Sequence, residues 1–157
     1  MNIKKVGIIA SLILSVALFS CDRGPVYESY QKIKNSTWDR FEILQFEIPV
    51  EKEALICDIS VVVRCSESFQ YDELPFYVIM TTPSGEERMR EVTVPVREKG
   101  KLILDPETAK TESRLVLWKG INMADKGKCK LTFENMIPKI QTEGIVEIGI
   151  VVTRTKN

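Results

Sequence analysis

The sequence predicts an all-β protein, a two-sheet antiparallel β-sandwich of jelly-roll or immunoglobulin-like type. Three observations predict it. Apolar residues recur at a period of two over much of the chain after Trp38. Side chains on a strand alternate faces, so each such run buries one face and solvates the other. Turn residues separate most of these runs, and no convincing stretch shows the 3.6-residue apolar period of an amphipathic helix. Strands without intervening helices argue against a parallel α/β sheet. With 157 residues, 44% hydrophobic and 28% charged, the chain has the composition of one globular domain.

The elements follow in chain order. Residues 1–20, MNIKKVGIIASLILSVALFS, place Lys4 and Lys5 ahead of an apolar run from Val6 to Phe19. That run is shorter than the ~20 residues a spanning helix needs. A charged start, an apolar middle and a small-residue exit make a secretory signal peptide. The exit, Leu18-Phe19-Ser20-Cys21, resembles a bacterial lipobox. The resemblance implies diacylglycerol on the Cys21 sulfur, cleavage before Cys21 and acylation of the new amine. Three acyl chains anchor firmly, since each buried CH₂ contributes ~0.8 kcal/mol. Asp22, Arg23 and Gly24 lack the acidic cluster of a surface-export signal, so the expected orientation is towards the periplasm. Residues 21–37 are polar, with Gly24 and Pro25, and read as a tether from which Val26, Tyr27 and Tyr30 can dock back. The domain is then 38–157.

Within it, Leu44, Phe46 and Ile48 alternate with Gln45 and Glu47, and Pro49 closes the run. Leu55, Cys57, Ile59, Val61, Val63 and Cys65 make the longest alternation. Phe76–Thr82 is apolar on both faces and reads as an inner strand, followed by the turn Pro83-Ser84-Gly85-Glu86. Val92, Val94 and Val96 form the next strand, and Pro95 marks it as an edge. Shorter strands are expected at Lys101–Leu104 and Arg114–Trp118, with one or two helical turns between them at Asp105–Ser113. Cys129, Leu131 and Phe133 alternate with lysine and threonine. Val146, Ile148, Ile150 and Val152 make the last of about eight strands.

Composition excludes much chemistry. There is no histidine, hence no Ser-His-Asp triad, Cys-His pair or His-ligated zinc. The 22 basic and 22 acidic side chains become 20 against 22 once Lys4 and Lys5 leave with the leader. A net of −2 gives no pull towards nucleic acid. No glycine-rich phosphate loop and no close Cys-x₂₋₄-Cys pair occurs, so neither a cofactor nor a metal is expected. The acidic pairs Asp72-Glu73 and Glu86-Glu87 flank strands and read as solvated turns. With Cys21 lipidated, Cys57, Cys65 and Cys129 allow at most one disulfide. Cys57 and Cys65 lie ~26 Å apart along one strand and cannot pair. Cys129 is free to pair with either. Three buried thiols, packed as small apolar side chains, are the favoured reading.

Several patches resemble the gliding-motility lipoprotein H (GldH) family of Bacteroidetes-type bacteria. Cys21 is followed by Val26-Tyr27-Glu28-Ser29-Tyr30 and Trp38, then by Phe46-Glu47-Ile48-Pro49. Gly127, Glu134, Met136 and Gly144-Ile145-Val146-Glu147-Ile148-Gly149 complete the set. The resemblance implies a small non-enzymatic lipoprotein of the outer membrane, attached through lipid on Cys21. It implies protein partners in a gliding or type IX secretion-associated assembly, with no catalytic residues and no nucleic acid. The alternative is a lipid-anchored carbohydrate-binding sandwich of a nutrient-uptake system, with Trp38, Tyr71, Tyr77 and Trp118 as candidates for its aromatic platform, although core or staple packing explains each equally well.

Overall fold

The computed structural model describes residues 24–51, 55–106 and 108–155. The leader 1–20 and Cys21 lie outside them. In chain order the strands are β1 Tyr27–Lys32, β2 Thr37–Asp39, β3 Leu44–Val50 and β4 Leu55–Cys65. Next come β5 Glu73–Thr81, β6 Glu87–Pro95, β7 Arg97–Glu98 and β8 Lys101–Leu102. The last four are β9 Ser113–Met123, β10 Gly127–Asn135, β11 Gln141–Glu143 and β12 Ile145–Arg154. Two four-stranded antiparallel sheets, β1-β12-β4-β9 and β3-β10-β5-β6, make a β-sandwich. Two small sheets, β11-β2 and β7-β8, accompany them.

The alternating runs decide which faces meet. Ile59, Val61 and Val63 of β4, with Ile148, Ile150 and Val152 of β12, line the inner face of the first sheet. Phe46, Phe76, Val78, Leu131 and Phe133 line that of the second. The Phe133 ring lies edge-on to Phe46 at 5.6 Å and to Phe76 at 5.3 Å. Each such aromatic or aliphatic side chain contributes about 1.5–3 kcal/mol by leaving water.

Both lateral edges are stitched. At one, β1 sends Tyr27 Oη to the Glu47 carbonyl at 2.8 Å and Gln31 Nε2 to the Gln45 carbonyl, both on β3. At the other, an Arg90 Nη of β6 donates to the Leu117 carbonyl of β9, and the guanidinium sits over the Trp118 ring. Edge carbonyls that would invite another chain are thereby engaged.

Two expectations change. Of the segment 21–37 read as a tether, Tyr27–Lys32 is β1, paired residue by residue with β12 from Val152 to Glu147. The paired structure therefore starts at Tyr27. Asp105–Ser113 forms no continuous helix among its described residues, but one helical turn is closed there by Ala109 N–H on the Asp105 carbonyl at 2.9 Å. Leu104 bridges Thr111, the Asp105 carboxylate accepts from the Thr108 N–H, and Asp105 N–H donates to the Lys110 carbonyl. The shorter strand expectations shift as well: Lys101–Leu104 contracts to β8, and Arg114–Trp118 grows into the eleven-residue β9.

Cys57, Cys65 and Cys129 are buried and unbridged. Burial pushes the Cys57 thiol up to about 11, with Asp58 and Cys129 adding to it. Burial also takes Cys129 to about 11, and Cys65 to about 12 against the pull of Arg97. Such thiols carry almost no thiolate at neutral pH and are inert. The triple Cys→Ala variant is expected to stay folded and lose about 1–3 kcal/mol in total, as small cavities do. Urea unfolding checks it: a variant unfolded in water would reveal a missed bridge or bound group.

Candidate functional site: a clasp and two ends

The first and last described strands, β1 and β12, pair in the first sheet. Tyr30 of β1 pairs with Gly149 of β12, and its ring lies over that glycine. An added Cβ on Gly149 would stand 2.2 Å from Tyr30 Cδ1. The Arg64 guanidinium of β4 sits 4.9 Å from the centre of the same ring. Arg64 Nε donates to Glu112 Oε2 at 2.7 Å, and Arg64 Nη1 pairs with Glu147. Thr108 Oγ1 gives Glu112 a further hydrogen bond at 3.0 Å, and Arg114 lies beside Asp105 and Glu112. This network covers part of the outer face and ties the 104–112 loop, β1 and β12 to β4. Burial raises the Tyr30 hydroxyl above its ordinary value, with Glu28 and Glu112 adding to it, so it stays protonated.

The clasp is structural chemistry. Glu112 is 2% exposed, so its carboxylate depends on protein partners, Arg64 and Thr108 among them. Arg64→Met is expected to cost about 1–3 kcal/mol, less than a fully buried pair because the Arg64 side chain is 28% exposed. A lower urea midpoint at unchanged m checks this; an unchanged midpoint rejects it.

At one end of the sandwich β1 begins and β12 finishes, so the chain before Tyr27 leaves there; this is the tether end. At the far end, Trp38 is buried and its Nε1 donates to the Glu42 carbonyl at 2.9 Å. The turn after β2 is pinned throughout. Arg40 N–H donates to the Ile140 carbonyl at 2.8 Å, Phe41 N–H to Asp39 Oδ1 at 2.9 Å, and Glu42 N–H to the Asp39 carbonyl at 3.1 Å. This rigid turn holds Phe41 81% exposed, with Ile43 57% and Ile140 70% exposed. Also at this end is a polar cleft of about 270 Å³ lined by Ser68, Gln70, Tyr71, Lys139, Gln141 and Glu143 among others.

The expected aromatic platform does not assemble. Trp38 and Trp118 are in the core, Lys139 sits 5.5 Å over the Tyr71 ring, and Tyr77 lies on β5. The acidic pairs are surface chemistry: Glu86 pairs with Arg88 at 2.9 Å, while the Asp72 carbonyl accepts from Val96 and Arg97 N–H groups. No group of three or more metal-ligating side chains exists among the described residues. Cys21, the expected lipidation site, lies outside them. Phe41 and Ile140 escaped the sequence reading. The only signal was an apolar residue between charges, Asp39-Arg40-Phe41-Glu42, where a turn needs none.

A family model described as GldH lipoprotein matches residues 25–152. The "Gliding motility lipoprotein GldH" of Flavobacterium johnsoniae is 27% identical over 157 residues, covering 95% of this chain and 96% of that protein. Among solved structures, a family GH115 4-O-methyl-alpha-glucuronidase with specificity for decorated arabinogalactans is similar with a TM-score of 0.52. It is 13% identical, and the match covers 87% of this chain but 18% of the enzyme. That likeness speaks to the fold alone.

Proposed function

The chain belongs to the GldH lipoprotein family, and from that premise we propose that it is a non-enzymatic component of a gliding-motility apparatus. In this reading it is held on the periplasmic face of the outer membrane by lipid on Cys21 and docks to proteins of that assembly. The observation that carries the reading is the extent of the family match. It runs from Pro25 to Val152, across the whole clasp of β1 on β12, rather than over one motif.

Anchoring follows from Leu18-Phe19-Ser20-Cys21 closing the apolar run. The mature protein is expected to begin at Cys21 carrying three acyl chains, and intact-mass spectrometry of the N-terminal peptide checks it. An unmodified N-terminus beginning elsewhere rejects the lipid. A deletion strain is expected to lose colony spreading; normal spreading rejects the motility role.

A further inference from the structure

The lateral edges of the sandwich are stitched by side chains, but one strand edge stays open, and it borders the polar cleft at the far end. Strand β11 pairs with β2 on one side only. Arg40 N–H donates to the Ile140 carbonyl and Gly144 N–H to the Ser36 carbonyl, so Ile140 and Gly144 belong to hydrogen-bonded pairs of that ladder. Such pairs alternate along antiparallel strands, which makes Thr142–Trp38 the next one. The N–H and C=O of Gln141 and of Glu143 therefore point away from β2. Among the described residues, no hydrogen bond reaches these four groups. Both residues line the cleft, and Ser68, Gln70 and Tyr71 line its facing wall. The two walls touch at Gly144, where a Cβ would lie 2.2 Å from Phe69 N and the carbonyl accepts from Ser66 N–H. At the other end of the slot Lys139 sits over the Tyr71 ring.

We propose that β11 takes up an extended segment of a second envelope protein as an added antiparallel strand in this slot, with a cationic group of that segment beside Glu143. The inference rests on the docking role proposed above and names its surface. Gln141 and Glu143 offer four main-chain hydrogen bonds, with donors and acceptors at the spacing of another extended chain. Three extended residues span ~10 Å, the length of β11. A glycan matches less well, because the Tyr71 ring is already engaged by Lys139 above it and by Phe69 tilted against it at 5.6 Å. An acyl chain would leave the polar walls unpaired. Charge sets the direction. An antiparallel strand starts at the shut end, which puts its N-terminal side by the Glu143 carboxylate and its C-terminal side towards Lys139. A parallel strand would bring a chain end of like sign to each. Residues 21–26 of this chain do not supply the strand. They leave at the opposite end, β12 between is ten residues, or ~33 Å, long, and six extended residues reach ~20 Å. A second copy held on the same membrane starts from the same height and falls short likewise.

The test uses the full lipidated chain in its own cells. A photoreactive benzoylphenylalanine replaces Gln141, exposed on β11, in one strain and Met89, exposed on β6, in another. Position 141 is expected to give one discrete adduct that maps to one segment of a second protein, and position 89 none. Adding Glu143→Pro is expected to weaken the adduct about tenfold or more, because proline deletes an outward N–H and leaves the Thr142–Trp38 pair in place. Glu143→Gln keeps the N–H and is expected to weaken it only about threefold. Ser68→Trp, at an exposed position on the facing wall, fills the slot and is expected to abolish the adduct. It decides the matter if Glu143→Pro melts more than about 3 °C below wild type. No adduct at position 141, an adduct of two copies of this chain, or an adduct with lipid or glycan overturns the proposal. So does an adduct that survives Ser68→Trp, or one that is equally strong with Glu143→Pro and Glu143→Gln. In the deletion strain, Ser68→Trp at wild-type level is expected to fold yet fail to restore spreading, and full restoration overturns the proposal as well. If the deletion strain itself spreads normally, the motility reading falls, and the adduct at position 141 alone decides the docking strand.

Discussion

Gly144→Ala is expected to destabilise the domain by about 3–5 kcal/mol and to lower its melting temperature by roughly 10–20 °C. Two costs add. Gly144 has φ +87°, in the region where an L side chain is strained by about 1–2 kcal/mol. A Cβ built there would also lie 2.2 Å from the backbone N of Phe69 and 2.5 Å from its Cα. Backbone cannot swing aside as a side chain can. Gly144 N–H donates to the Ser36 carbonyl at 2.7 Å, its own carbonyl accepts from Ser66 N–H at 2.8 Å, and Phe69 is fully buried. Relief therefore moves three segments at once, and overpacking of that kind costs about 1–3 kcal/mol or more. Against a typical total of ~5–15 kcal/mol, this is enough to leave a large unfolded fraction at 37 °C. Gly149→Ala is the control. Its clash is with the Tyr30 ring, so Tyr30→Ala should relieve much of it, whereas Phe69→Ala should not rescue Gly144→Ala. A Gly144→Ala protein melting within about 2 °C of wild type would refute the argument.

Those two glycines show where sequence reading reaches and where it stops. Gly144 and Gly149 stand out as part of a family-like stretch, but nothing in the string says that one abuts Phe69 and the other seats Tyr30. Strands β3, β4, β10 and β12 were legible because each buries one apolar face, which writes a period of two into the sequence. The strand β1 was not. Its inward side chains are Tyr27, Ser29 and Gln31, and two of them reach backbone carbonyls of β3 instead of filling the core, so the alternation carries no hydropathy signal. At Asp105–Ser113, helix-compatible residues such as Ala109 and Lys110 were overruled by the Arg64–Glu112 and Arg114–Asp105 pairs, which exist only in the folded chain. Trp38 and Trp118 read equally well as core or as platform; burial decided for the core. The exposed Phe41 is a single residue without periodicity, and single residues are what pattern reading cannot see.

Capture of β1 by the sheet sharpens the expected effect of removing the lipid. If residues 21–37 were free, the tether would be a coil of seventeen residues; with Val26 hydrogen-bonded to Val152 and Tyr27 onward paired to β12, the stretch from Cys21 to the strand is only residues 21–26. With lipid on Cys21, as proposed, the tether end of the sandwich would stay within ~20 Å of the bilayer. A linker that short gives a membrane-held partner a millimolar-scale effective concentration, so a micromolar interface suffices for occupancy. Cys21→Ala behind a non-lipoprotein signal peptide is therefore expected to be exported and folded but to fail to restore spreading in the deletion strain. Overexpression should rescue it partly, because bulk concentration then replaces the tether. Length makes the graded test. Inserting about twenty Gly/Ser residues after Asp22 lengthens the free chain roughly fourfold, and effective concentration falling as the −3/2 power of length drops ~9-fold, or ~1.3 kcal/mol. Spreading should then rank wild type, long tether, soluble form. Full complementation by the soluble form at wild-type level would show that the anchor is dispensable and that the partner is reached by diffusion alone.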